Sequence, residues 1–276
     1  MAPECGDPWS RSVRTHDLER CRSLPLFANM HAETFRHVTA GAHMQRFPPG
    51  TMLVLEGDAV DFLYVLLSGQ VELHGTWNDQ ETVLGILRPV STFILAAVVL
   101  DTDALMSART LENSEILMIP GDAIRSAMVE DTEFGLAVSR DLAGGFRTMV
   151  RAVKNQKLRN AVERLANHLV MLRASDPGVG ATVVLRHEKR VLASLLGMTP
   201  ENLSRAFAAL RKQGVTVNGA VVTISNPAAL IALAKPDPLI DNHAPFGADI
   251  VTPADAEIWS TNSHRAALAR SEKRRA

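Results

Sequence analysis

Glu201, Asn202, Ser204 and Arg205 fall within five positions, directly after Thr199-Pro200. A carboxylate, an amide, a hydroxyl and a guanidinium are the groups that pair with base edges. Arginine can donate two bonds to a guanine, and a carboxylate can accept from the cytosine amine. To act this way they must stand on the outer face of a helix that enters a major groove. Thr199 suits an N-cap and Pro200 the first helical position. Leu192 and Ala193, then Gly197, then Leu203 and Ala206, supply the inward apolar positions, the small contact residue and the tight turn of a helix-turn-helix. An ordinary helical hairpin satisfies the same spacing, so the neighbouring segment carries weight. Val215 to Ile224 holds two β-branched runs around Asn218-Gly219, the pattern of a hairpin with a type I′ turn. Arg211 and Lys212, just before this wing, are placed to neutralise phosphates. A brief strand at Val183–Leu185 leads in, and a short helix from Ala228 to Ala234 follows.

Composition narrows the class. Over 276 residues, 29 Lys+Arg against 30 Asp+Glu give a net charge of −1. Nucleic-acid contact must therefore come from a local patch rather than from a polycation. The two cysteines, Cys5 and Cys21, form no metal-type spacing and fit a reducing, cytoplasmic setting. The first twenty residues lack a signal-peptide core, and the longest apolar run, Phe93 to Leu100, is too short for a bilayer. A single tyrosine argues against a stacking platform for single strands.

The elements that position these groups divide into blocks. Residues 1–15 read as a flexible arm. A sensor domain follows over 16–130, with short helices near His16–Cys21 and Ala32–Val38. Short strands come next: Gln45–Phe47, Met52–Leu55, Phe62–Leu67, Gln70–His74, Thr82–Leu87, Leu105–Thr110 and Glu115–Ile119. Evenly spaced strands with glycine turns predict a sandwich or roll. The alternation in Val71-Glu-Leu-His reads as a half-buried strand. Pro120 opens a helix of two turns. A long helix covers 131–156, with Val138, Leu142, Met149 and Val153 recurring along it as a dimer seam. The same spacing also suits a helix packed on its own domain. The DNA-binding domain spans 157–235 and begins with a helix over Lys157–Arg173. A proline-broken tail, 236–276, reads as disordered.

Three segments together resemble the CRP/FNR family of bacterial transcription regulators. Gly50-Thr-Met-Leu-Val-Leu-Glu-Gly-Asp58 with Phe62–Leu73 resembles the glycine-spaced opening of a cyclic-nucleotide-binding-like β-roll. Leu158–Leu169 is similar to the family's linker helix, and Thr199–Leu210 to its recognition helix. The resemblance spans about residues 16 to 235 in family order. It implies an α+β chain with a jelly-roll-like sensor, a long dimerisation helix and a C-terminal winged helix. It also implies a homodimer on near-palindromic double-stranded DNA. Glu201, Ser204 and Arg205 match the reader pattern of the FNR-like branch, whose half-sites resemble TTGAT. Pro200 stands where that branch often has valine. RNA polymerase is the implied partner if the protein activates.

The departures concern the sensor. Nucleotide-binding relatives place Gly-Glu and Arg-Ser pairs around the ribose and cyclic phosphate. The matching positions here are Phe93-Ile94 and Ala104-Leu105, which supply neither charge, so a cyclic nucleotide is not the expected ligand. Two cysteines cannot supply a four-thiolate iron–sulfur cluster, so that cofactor is not expected either. Haem stays open by residue type, through His31, His37, His43, His74 or Met44. Nothing near Cys21 marks it as a low-pKa redox thiol. The Phe93–Leu100 run reads as core and as the seam with the dimer helix, with an apolar ligand pocket as the other reading. No P-loop, zinc spacing, nucleophile elbow or paired carboxylates point to an enzyme. The expectation is a DNA-binding regulator answering a signal other than cyclic nucleotide. The alternative is a ligand-sensing module acting through a protein partner.

Overall fold

The computed structural model describes residues 10–11, 13–175 and 181–241. The chain divides into two compact units, the boundary falling after Arg147.

The first unit begins with β1 (Ser10–Arg11), α1 (Thr15–Arg22), α2 (Pro25–Ala28) and α3 (Ala32–Ala40). Strands β2 (His43–Phe47), β3 (Met52–Val54), β4 (Phe62–Ser68), β5 (Val71–Trp77), β6 (Gln80–Leu87) and β7 (Ser91–Phe93) follow. Next come α4 (Leu95–Leu100), β8 (Ser107–Thr110), β9 (Ser114–Pro120), α5 (Gly121–Glu130) and α6 (Thr132–Leu158). The strands form two antiparallel sheets, β1-β2-β9-β4-β7 and β3-β8-β5-β6, the double-layered roll expected from the strand spacing. Leu63, Val65, Leu66, Val71, Ala108, Ile116 and Leu117 are all buried in the core of this unit, neighbouring residues pointing to opposite faces of their strands. Gly69 closes the β4–β5 turn at φ +92°, where a Cβ would lie 2.7 Å from the Asn113 carbonyl oxygen.

Several expectations are corrected here. The arm does not run to residue 15, because Ser10 and Arg11 pair with Gln45 and Met44; residues 1–9, and Cys5 with them, lie outside the described residues. The segment Val71–His74 is buried on both faces, with Glu72 and His74 each only 2% exposed. Glu72 tolerates this because Arg109, opposite it on β8, donates a hydrogen bond at 2.6 Å. The Phe93–Leu100 run is strand end and then helix α4, and the short strand β7 had no separate signal. Leu95 and Val98 join the core, while Leu100 is exposed.

The first turns of helix α6 pack on their own domain. Asp131 caps it, accepting from the Phe134 N–H at 3.1 Å, and Phe134 stacks on Phe27 at 5.9 Å. Phe134, Ala137 and Val138 are buried in the core of the roll. Val138 is therefore not a residue of a dimer seam. Phe146, Met149, Val150 and Val153 are exposed apolar residues farther along the same helix. The Gly144-Gly145 pair does not interrupt it.

The second unit holds the end of α6, then α7 (Ala161–Ser175), β10 (Thr182–Val184), α8 (Lys189–Leu195) and α9 (Pro200–Leu210). A 3-10 turn (Arg211–Gln213), β11 (Val215–Asn218), β12 (Val221–Ile224), α10 (Pro227–Ala234) and α11 (Pro238–Asp241) complete it. Leu165, Leu169, Leu192, Leu203, Leu210, Val222 and Leu230 share one core. The helix expected from Lys157 starts instead at Ala161. Asn160 accepts from the Glu163 N–H at 3.0 Å while Glu163 accepts from the Asn160 N–H at 3.0 Å. This reciprocal capping ends one helix and begins the next. Asn226 caps α10 in a similar way, accepting from the Ala229 N–H. The tail is also corrected: residues 237–241 form a helical turn, and Asp241 is fully buried. Residues 242–276 lie outside the described residues. Among the described residues no helix is long and apolar enough to cross a membrane.

Candidate nucleic-acid interface

Thr199 is the N-cap of α9, its hydroxyl accepting from the Asn202 N–H at 3.3 Å, and Pro200 opens the helix. Leu203, Ala206, Phe207 and Leu210 face the core, which turns Glu201, Asn202, Ser204 and Arg205 outward. The turn before α9 depends on Gly197, at φ +62°. A Cβ there would also strike the Gln156 amide at 2.4 Å.

The outward groups are partly arranged in advance. The Glu201 carboxyl is held below its ordinary range by its own backbone N–H at the helix start, then by the Thr199 hydroxyl and the nearby Arg205 charge. It is an anion at neutral pH and acts as an acceptor only. Ser204 donates to the Pro200 carbonyl at 2.9 Å, leaving its oxygen to accept.

The wing forms where expected, with one correction. Asn218 pairs with Val221, so the turn residues are Gly219 and Ala220 rather than Asn218 and Gly219. Of these only Gly219, at φ +60°, is left-handed, the pattern of a type II′ turn. The register is set by Val215 and Val217 pairing with Ile224 and Val222, which places the apolar side chains on the domain core. The chain also holds a local basic patch. Arg186, Lys189, Arg190, Arg205, Arg211 and Lys212 are all exposed, and only Glu188 and Glu201 oppose them between positions 186 and 212. The first three were missed as candidates. The run Arg186-His-Glu-Lys-Arg190 ahead of the helix pair was the available signal.

The sensor positions do not share one environment. Phe93 is buried and stacks on Tyr64 at 5.1 Å, and Ile94 sits in left-handed backbone at φ 67°. Ala104 is buried and bonded through its backbone to Gly57 and Asp58, while Leu105 is 83% exposed. Arg109, on β8, is a cation of this domain that no motif marks. Its hydrogen bond to Glu72 holds it firmly protonated, and Glu81 lies 3.6 Å away. Of the haem candidates, His31 is committed to Asp131 at 2.9 Å. His37 and His43 are exposed. His74 and Met44 are buried on strands of different sheets. Burial pushes the Cys21 thiol up to about 12, which removes the thiolate a redox switch requires.

The comparisons agree with this layout. Residues 44–131 match the cyclic nucleotide-binding domain model and residues 163–233 the Crp-like helix-turn-helix domain model. The global nitrogen regulator of Synechococcus elongatus is 22% identical over 71% of this chain and 93% of its own. The cyclic AMP receptor protein of Thermus thermophilus is 25% identical over 76% of this chain and 96% of its own. Among solved structures, the c-di-GMP responsive global regulator CLP of Xanthomonas campestris superposes with a TM-score of 0.61. It shares 22% identity over 70% of this chain and 99% of that one, a likeness of fold. Because a nucleotide-binding-type roll precedes a Crp-like reading domain in this order, the chain belongs to the CRP/FNR family of transcription regulators.

Proposed function

We propose that the protein works as a homodimer that reads a near-palindromic duplex, one half-site per subunit, and answers a signal other than a cyclic nucleotide. The observation that carries the reading is α9. It is capped by Thr199 and anchored by Leu203, Ala206 and Phe207, and it presents Glu201, Ser204 and Arg205 to solvent. Arg205 would take a guanine and Glu201 a cytosine amine, with Asn202 beside them. That set favours half-sites like TTGAT. Arg211 and Lys212 would lie on phosphates. Phe146, Met149, Val150 and Val153, spaced by three and four residues along α6, support a two-helix seam, with Leu142 at its edge. A shift in how two subunits meet there would change the distance between recognition helices, and only one spacing fits both half-sites.

Phe93 and Ala104, where nucleotide-binding relatives carry charged pairs, support a different signal. The roll's Arg109 is already paired with Glu72. The site of action is the cytoplasm, with RNA polymerase as partner if the protein activates. The test is selection of duplexes from a random pool by the full chain, with sedimentation of the bound and unbound protein. A palindromic consensus and a dimeric mass are expected, and neither should require cAMP or cGMP. A monomer, a random pool unchanged after selection, or strict dependence on either nucleotide would refute the proposal.

A further inference from the structure

We propose that residues 236–241 form an intramolecular latch on the elbow between α6 and α7, closed by Asp241 on Arg159. The segment lies beyond the residues matched by the helix-turn-helix model, which ends at 233. The elbow is the point where the long helix ends and the reading domain begins.

The latch is specific in geometry. Both Arg159 Nη atoms reach the two oxygens of Asp241, the Nη2–Oδ2 bond being 2.6 Å, in a forked arrangement that fixes direction as well as distance. The two side chains are 7% and 1% exposed. Arg159 Nη2 also donates to the Lys235 carbonyl at 3.0 Å, and Nη1 to the Asn155 amide oxygen at 3.2 Å. The Asp237 N–H donates to Asp241 at 2.7 Å, so the carboxylate is satisfied from both sides. Lys154 reaches the Leu239 carbonyl, and Lys235 pairs with Glu163 at 3.0 Å. The short segment thus touches the end of α6 and the elbow, and Lys235 just before it ties the chain to the first turn of α7.

What the latch holds is already linked to the recognition turn. Arg164 donates to the Arg159 carbonyl at 2.7 Å and the Gln156 carbonyl at 3.3 Å. It donates as well to the Leu196 and Gly197 carbonyls, at 2.9 and 3.2 Å. Fixing the elbow therefore fixes how α7, and with it the turn before α9, leaves the end of α6. A buried ion pair adds little net stability compared with apolar residues, and its best-attested use is to select one geometry. Arg159 and Asp241 are positioning residues in this scheme and touch no DNA.

The role rests on the DNA reading above, so the test has one arm independent of it. Hydrogen exchange is measured on the full chain, on Asp241→Ala and on a chain ending at Lys235, in which Arg159 becomes solvated rather than stranded. Exchange at residues 155–163 should rise about tenfold or more in both variants, while α9 and the roll keep their protection. The second arm compares a selected palindromic duplex with the same duplex carrying one half-site. Single-half-site affinity should hold, and the advantage of the palindrome should fall about tenfold. Unchanged exchange at the elbow overturns the latch. So does an equal loss on both duplexes, which would mark the pair as merely structural. If the parent binds no duplex, the DNA reading fails and exchange alone decides the latch.

Discussion

In the β-roll, Arg109 turns inward to Glu72 and Arg125 binds the Val98 carbonyl and Asp101; around α9, Arg205, Arg211 and Lys212 stand out in solvent. The same residue types do opposite work. Cations satisfied by carboxylates of their own domain hold its shape, whereas a cluster left outward with few opposing acids is arranged for an anionic partner. Helix α6 shows the same division in apolar residues, with Phe134 buried against Phe27 and Phe146 71% exposed.

The largest test of the contrast is the phenylalanine pair. Phe134→Ala should cost about 3–5 kcal/mol of unfolding free energy in denaturant titration. Phe146→Ala should leave monomer stability within about 0.5 kcal/mol and instead shift sedimentation toward monomer. Equal destabilisation by both would break the division of α6. Next, Arg205→Ala should cost about 1–3 kcal/mol of duplex affinity and relax one base position, with unfolding unchanged. Arg109→Ala should do the reverse. It strands Glu72, but Arg109 is a third exposed, so solvent screening limits the loss to about 1–2 kcal/mol of stability, without changing the salt dependence of DNA binding. Lys212→Ala should weaken all duplexes by similar small factors and lower the salt slope by about 1.

The smallest effect is in acid. Burial opposes ionisation of Asp131, but N–H groups of His31 and Phe134 and the His31 ring outweigh it and hold the carboxyl below its ordinary range. Its contribution is complete above the unfolded value of about 4 and is lost as pH falls through the lower folded value. The stability gap between the parent and Asp131→Asn should therefore narrow with acid. A gap that widens would reverse the assignment.

The reading face was legible because its determinants are local. Thr199, Pro200 and Gly197 act within a few residues of themselves, and the inward apolar positions follow helical period. The roll was legible through its glycine turns. The misses share a different cause. Asn160 and Glu163 spell a capping box, but the apolar face from Leu158 onward continues smoothly through the break and hid it. Asn218-Gly219 marked the turn, yet the valine pairing moved its centre by one residue. Arg109 answers Glu72 from 37 positions away and Asp241 answers Arg159 from 82, distances over which neither period nor spacing carries information. A buried carboxylate in a proline-broken tail is legible only once its guanidinium is seen.

Arg164 grips the recognition turn by the carbonyl oxygens of Leu196 and Gly197 alone. Main-chain oxygens are common to every amino acid, so the coupling is indifferent to which side chains decorate α9. Rewriting Glu201, Asn202, Ser204 or Arg205 should retarget the protein to another operator while its drive train stays intact.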